Sequence, residues 1–132
     1  AKAHDAVAQW IRAYYIVGDD KFGNSIFSKL LAAAEEGRRT FPFTSGKNKY
    51  DFISVSDLAR QIAAIVCQDE VAGIVNACSG EPLSLADRVE AYIREHGLDL
   101  ELEYGAFPDR PYDSPGVWGD ATKIRAIMAA AR

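Results

Sequence analysis

Tyr50-Asp51-Phe52-Ile53-Ser54-Val55-Ser56-Asp57-Leu58-Ala59 decides the fold class of this 132-residue chain, because two kinds of structure meet inside it. Tyr50 to Val55 is rich in aromatic and β-branched residues and reads as a strand. Ser54, with Asp57 three residues on, is a helix-start signature, because the serine hydroxyl can accept the backbone N–H of the third helical residue. Val55, Leu58, Ala59, Ile62, Ile65 and Val66 then recur at threes and fours, which predicts a helix with these six on its buried stripe.

The same strand-then-capped-helix pattern returns downstream. Gly73 to Cys78 is a short apolar run broken by Ser79-Gly80-Glu81-Pro82, and Ser84 with Asp87 opens a helix carrying Leu85, Val89, Tyr92 and Ile93 as far as Gly97. Upstream, Trp10 to Val17 predicts one strand closed by Gly18-Asp19-Asp20. Asn24 or Ser25 then caps a helix with Ile26, Phe27, Leu30, Leu31 and Ala34 at helical spacing until Gly37. Phe41-Pro42-Phe43 reads as a short edge strand, since proline donates nothing to a ladder, and Ser45-Gly46-Lys47-Asn48 as a turn. Leu98, Leu100, Leu102 and Tyr104 alternate with acidic residues, as on a strand with one wet face. Gly105 to Gly119 holds three prolines and reads as irregular. Asp120 caps a last helix with Ile124, Ile127 and Met128 on one face. The expected fold is α/β or α+β, with no internal repeat.

The composition, 48% hydrophobic and 26% charged, fits one ordinary globular domain. A net charge of −4 lacks the basic footprint of a nucleic-acid binder. No apolar run approaches a membrane span and no signal peptide opens the chain, so a cytoplasmic location is expected, with no membrane partner. Cys67 and Cys78 lie in apolar runs and are expected to be buried free thiols. The first residue is alanine, as expected of a processed product or fragment.

Several chemistries lack their parts. Gly18-Asp19-Asp20-Lys21-Phe22-Gly23-Asn24-Ser25 is placed like a phosphate-binding loop, but Asn24 stands where that motif needs lysine, and two aspartates would repel the anion. No G-x-G-x-x-G occurs, so the chain has no dinucleotide fingerprint. His4 and His96 have no partners at metal-ligand spacing, and His96 falls in the last turn of its helix, where the dipole favours a cation. Arg110 stands between Pro108-Asp109 and Pro111 on a stiffened loop. It suits either bidentate phosphate recognition or a salt bridge to Asp109 or Asp113.

Taken in order, several segments resemble the C-terminal half of the extended short-chain dehydrogenases, the NAD-dependent epimerase/dehydratase family. Ile11-Arg12-Ala13-Tyr14-Tyr15-Ile16-Val17-Gly18-Asp19 is similar to its L-R-x-x-N-V-Y-G-P. Tyr50 to Ala59 is similar to R-D-F-I-x-V-x-D-x-A, and Gly73 to Ser84 to G-x-x-x-N-x-x-x-G-x-x-x-S. Arg110-Pro111-Tyr112-Asp113 followed by Asp120-Ala121-Thr122-Lys123 resembles R-P-G-D and D-x-S-K. Tyr50, Tyr15 and Asp19 replace the family's arginine, asparagine and proline. The family's catalytic Tyr-x-x-x-Lys precedes the matched region, and Lys2 is left unassigned.

The resemblance implies that residues 1–132 are a single substrate-binding domain, a small mixed sheet with about four helices, from which the N-terminal Rossmann domain is absent. It implies a lobe of a nucleotide-sugar epimerase, dehydratase or reductase that is inactive without that half, with NAD or NADP held mainly by the half not present and no metal. The expected partners are a nucleotide-sugar substrate and the chain's own Rossmann domain, in a homodimeric parent. On the matching positions Arg110 would meet the substrate diphosphate. Lys21 and Asn24 would favour an anion at the first helix, Tyr50 would donate where arginine usually stands, and Phe41 and Phe43 would either flank the base or pack in the core. A non-catalytic binding or regulatory module and a complementing subunit are the alternatives.

Overall fold

The computed structural model describes residues 7–18, 23, 25–112 and 114–131. Among these the order is β1 Gln9–Ala13, β2 Tyr15–Val17, α1 Ile26–Glu35, β3 Thr40–Pro42, β4 Lys49–Ser54, α2 Val55–Val66, β5 Gly73–Ala77, β6 Pro82–Ser84, α3 Leu85–Glu95, β7 Glu101–Glu103, β8 Gly116–Val117 and α4 Thr122–Ala130. The architecture is mixed α/β with four helices and small sheets, as expected. One sheet has the order β2-β4-β6 with β8 beside β4; β1 pairs with β5 and β3 with β7. The expected single strand over Trp10–Val17 is two strands interrupted at Tyr14, whose N–H donates to the Ala77 carbonyl at 3.2 Å.

The chain forms two compact units. The first comprises residues 1–16, 51–82 and 118–132. Here β1 and β5 run parallel with Ile11 opposite Val75 and Trp10 opposite Ile74. Side chains alternate across a strand, so the two pairs face opposite ways. Val75, Ile65, Cys78, Ala121, Ile124 and Ile127 form the core, with Ile11 and Tyr14 packed against it. Each fully buried aliphatic side chain contributes roughly 1.5–3 kcal/mol relative to leaving it in water. Trp10 and Ile74 stay exposed on the other face. Lys123 Nζ donates to the Ala72 and Ile74 carbonyls, placing a lysine along β5.

Helix α2 begins as the sequence reads, with the Asp57 N–H donating to Ser54 Oγ at 3.1 Å. Its stripe requires correction. Of the six expected core residues only Ile65 is buried, while Val55 and Val66 are more than half exposed. The apolar arc of this helix is wider than the surface that covers it. Packing reaches the flank carrying Leu58, Gln61, Ala64 and Ile65 and leaves Val55, Ala59, Ile62 and Val66 open. Cys67 closes the helix and is exposed, contrary to expectation; Cys78 is buried, and both are free thiols. At α4 the Asp120 carboxylate takes the Thr122 N–H at 2.9 Å, although Ala121 rather than Asp120 is the cap residue.

The second unit comprises residues 17–50 and 83–117. Ser25 caps α1 by accepting the Ser28 N–H, and Gly37 follows the helix at φ +79°. Tyr92 of α3 is buried, stacks on His96 at 3.9 Å between ring centroids, and donates its hydroxyl to the Gly18 carbonyl at 2.8 Å. The stack, with a 3.1 Å hydrogen bond between His96 Nδ1 and the Tyr92 carbonyl, accounts for His96 structurally. Leu100 and Leu102 are buried as the alternation predicts, but the strand is only three residues long and Tyr104 is exposed.

Candidate functional site

In the second unit β3 and β7 pair in parallel, with Phe41 opposite Leu102. The pairing continues beyond both strands, because the Phe43 N–H donates to Glu103, the Gly105 N–H to Thr44 and the Phe107 N–H to Phe43. This lays the start of the proline-rich loop alongside residues 43–45. A cavity of about 480 Å³ opens there, walled by Phe41, Pro42, Phe43, Phe107, Leu85 and Ile26, with Lys29, Thr44 and Arg110 as its polar lining. Its walls are mainly aromatic and aliphatic with a few polar groups, the usual make-up of a small-molecule site.

A second, smaller cavity of about 130 Å³ is lined by Thr44, Lys47, Asn48, Tyr50, Asp109 and Arg110, with Gly46, Leu85 and Pro108. The turn at 45–48 contributes Gly46, Lys47 and Asn48 to its lining. The carbonyls of Gly46 and Asn48 accept the Ala86 and Leu85 N–H groups at 2.9 Å, tying the turn to the first residues of α3. Gly46 has φ +65°, and a Cβ there would stand 2.6 Å from the Phe43 ring and 2.7 Å from the Ala86 Cβ. Only glycine fits both the conformation and the space.

Arg110, Thr44 and Leu85 line both cavities. Arg110 thus stands where a mostly apolar chamber and a polar one share walls. The Asp109 carboxylate engages Ser45, accepting its hydroxyl at 2.6 Å and its N–H at 3.2 Å. The Ser45 hydroxyl, then the Ser45 N–H, hold the Asp109 carboxyl below its ordinary pKa, with the Lys47 charge helping. Asp113, the other expected acidic neighbour of Arg110, lies outside the described residues.

The structure therefore brings Arg110, Tyr50, Phe41 and Phe43 to the cavities of one unit. Lys21 and Asn24 lie outside the described residues, as does His4. Phe43 is 3% exposed and makes an edge-on contact with Tyr104, ring centroids 5.6 Å apart, so it is a wall held in the core rather than a free flank. Lys29, Lys47, Asn48 and Phe107 also line the cavities, and sequence reasoning did not single them out. Lys47 and Asn48 stood inside the recognised turn, but Lys29 and Phe107 carry no local signal, since only tertiary folding sets them beside Arg110.

A nicotinamide dinucleotide is held in Rossmann folds by backbone N–H groups at a glycine-rich turn after a strand. The turn after β5 in this chain is occupied from within. Asp51, fully buried, accepts the Ser79 N–H at 2.8 Å, the Ser79 hydroxyl at 2.7 Å, the Gly80 N–H at 2.8 Å and the Gly119 N–H at 3.2 Å. An internal carboxylate fills the place of an anionic ligand, so the described residues do not fit a dinucleotide pyrophosphate at this turn. No group of three or more His, Cys, Asp or Glu side chains among the described residues could hold a metal ion. No helix among them is long and apolar enough to cross a membrane.

Comparison with known proteins gives a consistent result. Over 111 residues, 84% of this chain, the sequence is 49% identical to dTDP-6-deoxy-L-talose 4-dehydrogenase (NAD(+)) of Aggregatibacter actinomycetemcomitans, and it spans 41% of that protein's length. The fold matches a UDP-N-acetylglucosamine 4-epimerase from Methanobrevibacter ruminantium, solved with UDP-N-acetylmuramic acid, at a TM-score of 0.74 and 17% identity, covering 96% of this chain and 41% of that one. It matches UDP-glucose 4-epimerase from Thermotoga maritima, solved with UDP-glucose, at 0.69 and 19%, covering 88% and 38%. The family described as NAD dependent epimerase/dehydratase matches residues 1–78. More than half of the sequence lies inside that match, and the chain belongs to the NAD-dependent epimerase/dehydratase family.

Proposed function

We propose that this chain is the substrate-binding portion of an enzyme that oxidises, reduces or epimerises a nucleotide-linked sugar, and that a dTDP-sugar is the first substrate to try. The observation that carries the reading is the placement of Arg110 on walls shared by an aromatic-lined chamber and a polar one. A nucleoside diphosphate-sugar has that sequence of parts: a flat base, two phosphates and a polyhydroxyl ring. Phe41, Pro42 and Phe107 offer apolar surface for the base. The Arg110 guanidinium can take two phosphate oxygens at once, and Pro108 and Pro111 reduce the entropy lost in doing so. Tyr50, Asn48 and Thr44 supply hydroxyl and amide groups to the sugar side. The name of the 49%-identical relative adds dTDP and NAD to this expectation.

A nicotinamide dinucleotide, when bound, supplies hydride transfer to or from the sugar carbon. The residues of this chain bind and orient: anchoring the base and diphosphate fixes the sugar relative to the nicotinamide, so that remote binding energy aligns the reacting carbon. On this reading the proton-transfer residues and cofactor cradle belong to the N-terminal Rossmann half of a longer, cytoplasmic and homodimeric protein. By itself the lobe is inactive. The two-stranded parallel pair β1–β5 supports such a half, because parallel sheets are ordinarily covered on both faces.

Tyr50 in the place of the family's arginine favours a second reading, a module that binds nucleotide-sugars without turning them over. Calorimetry of the intact protein with dTDP-glucose, dTDP-rhamnose and UDP-glucose tests the first reading; binding to none of them would sink it. Binding without turnover in the presence of NAD+ or NADP+ would establish the second.

A further inference from the structure

We propose that Ser45 and Asp109 form a clip whose function is to position Arg110, rather than to stabilise the fold. The proposal rests on the reading of Arg110 as the phosphate-binding residue. Loop 105–110 is fastened to residues 43–45 by backbone hydrogen bonds only as far as the Phe107 N–H to the Phe43 carbonyl, at 3.2 Å. Beyond that, Pro108 has no N–H to give, and the next fastening described is made by Asp109. Both of its carboxylate oxygens engage Ser45, one accepting the hydroxyl at 2.6 Å and the other the N–H at 3.2 Å. Arg110 follows directly, and Tyr112, two residues further, is 78% exposed. The clip therefore holds the loop at the residue before the guanidinium.

The same hydroxyl reaches the other side of the polar cavity. Ser45 Oγ accepts the Lys47 N–H at 3.4 Å while donating to Asp109. One serine thus links the backbones that carry two cations of the cavity, Arg110 and Lys47. It also settles where a negative charge goes. Asp109 lines the cavity next to Arg110, and a carboxylate turned toward that guanidinium would compete with a phosphate for it. Held on Ser45, it does not. Exposed polar pairs contribute little to stability, so a bidentate pair at this point of a binding loop is better explained by geometry than by folding energy.

The test uses the intact protein and two probes, dTDP and thymidine, which share the base and sugar and differ in the phosphates. Ser45→Ala should weaken dTDP binding about three- to tenfold, the range of one net hydrogen bond, and leave thymidine binding and the unfolding midpoint near wild type. Ser45→Thr, which keeps the hydroxyl, should restore dTDP affinity. Arg110→Ala is the control for the underlying reading. If Arg110→Ala weakens dTDP binding and Ser45→Ala does not, the clip is overturned and the reading stands. If Ser45→Ala weakens dTDP and thymidine equally, its role is merely structural and the clip is overturned. If Arg110→Ala changes nothing, the reading fails and the clip falls with it.

Discussion

Asp51 takes both hydrogen-bond donors of Ser79, the N–H at 2.8 Å and the hydroxyl at 2.7 Å, from a position with no solvent exposure. Its second oxygen takes the Gly80 N–H at 2.8 Å and the Gly119 N–H at 3.2 Å. A buried carboxylate is costly unless every lone pair is used, and here four donors converge on it. The loop after β5 and the approach to α4 are thereby fastened to strand β4.

Asp51→Asn keeps the side-chain shape but turns an NH2 group toward N–H donors. Leaving such donors unsatisfied in the interior should cost on the order of 2–4 kcal/mol. The expected result is a lower urea midpoint at unchanged slope.

Gly46→Ala should destabilise the second unit, since the added methyl meets the Phe43 ring and Ala86 at 2.6 and 2.7 Å in a backbone conformation that favours glycine. A loss of about 1–3 kcal/mol is expected from overpacking and the positive φ together. Calorimetric melting of the variant provides the measurement, and an unchanged melting temperature would contradict the packing described.

Arg110→Ala should weaken dTDP binding by about tenfold or more, the scale of a charge-assisted hydrogen bond. Its thermal stability should stay close to wild type, because the side chain is exposed. Titration calorimetry paired with a melting curve separates the two; equal loss in both would make Arg110 a structural ion-pair residue.

Asp109 provides a pH prediction. Its folded pKa lies below the ordinary value because of the Ser45 hydrogen bonds. The clip is therefore fully present above the unfolded carboxylate pKa and is lost as pH falls through the lower, folded one. Carboxyl carbon shifts followed by NMR should show Asp109 titrating below a model aspartate, and Ser45→Ala should move its midpoint up.

The thiols should differ in reactivity. Burial first, then the Asp51 charge, push the Cys78 pKa up to about 11, whereas Cys67 is exposed. Thiolate is the reactive form. Mass spectrometry after brief iodoacetamide treatment at neutral pH should find Cys67 modified and Cys78 intact until the protein unfolds.

Much of the secondary structure was legible because its signals are local. Ser25, Ser54 and Ser84 each cap a helix by accepting the N–H three residues on. Tertiary choices were not legible. Nothing in the spacing of Val55, Ala59, Ile62 and Val66 tells which edge of an apolar arc meets a neighbour, and Cys67 was misjudged for the same reason. The break at Tyr14 marks a change of partner, from β5 for β1 to β4 for β2, both distant in sequence. Of the site, Arg110 was recognisable from its flanking prolines. Lys29, on α1, and Phe107, on the loop, become neighbours of Arg110 only through folding, and Asp51, though part of a recognised motif, shows its role only once its donors are seen.

Trp10, 71% exposed and paired across the strands with Ile74, leaves an indole in water on the uncovered face of β1–β5. The molecule thus carries an optical gauge of its own. While that face is open, Trp10 should emit at long wavelength and be quenched readily by acrylamide. Once a protein surface lies against it, the emission should shift to the blue and the quenching fall away. Trp118, also exposed, can be replaced by phenylalanine to leave a single tryptophan, so that covering of this face by any protein surface becomes visible in real time without a label.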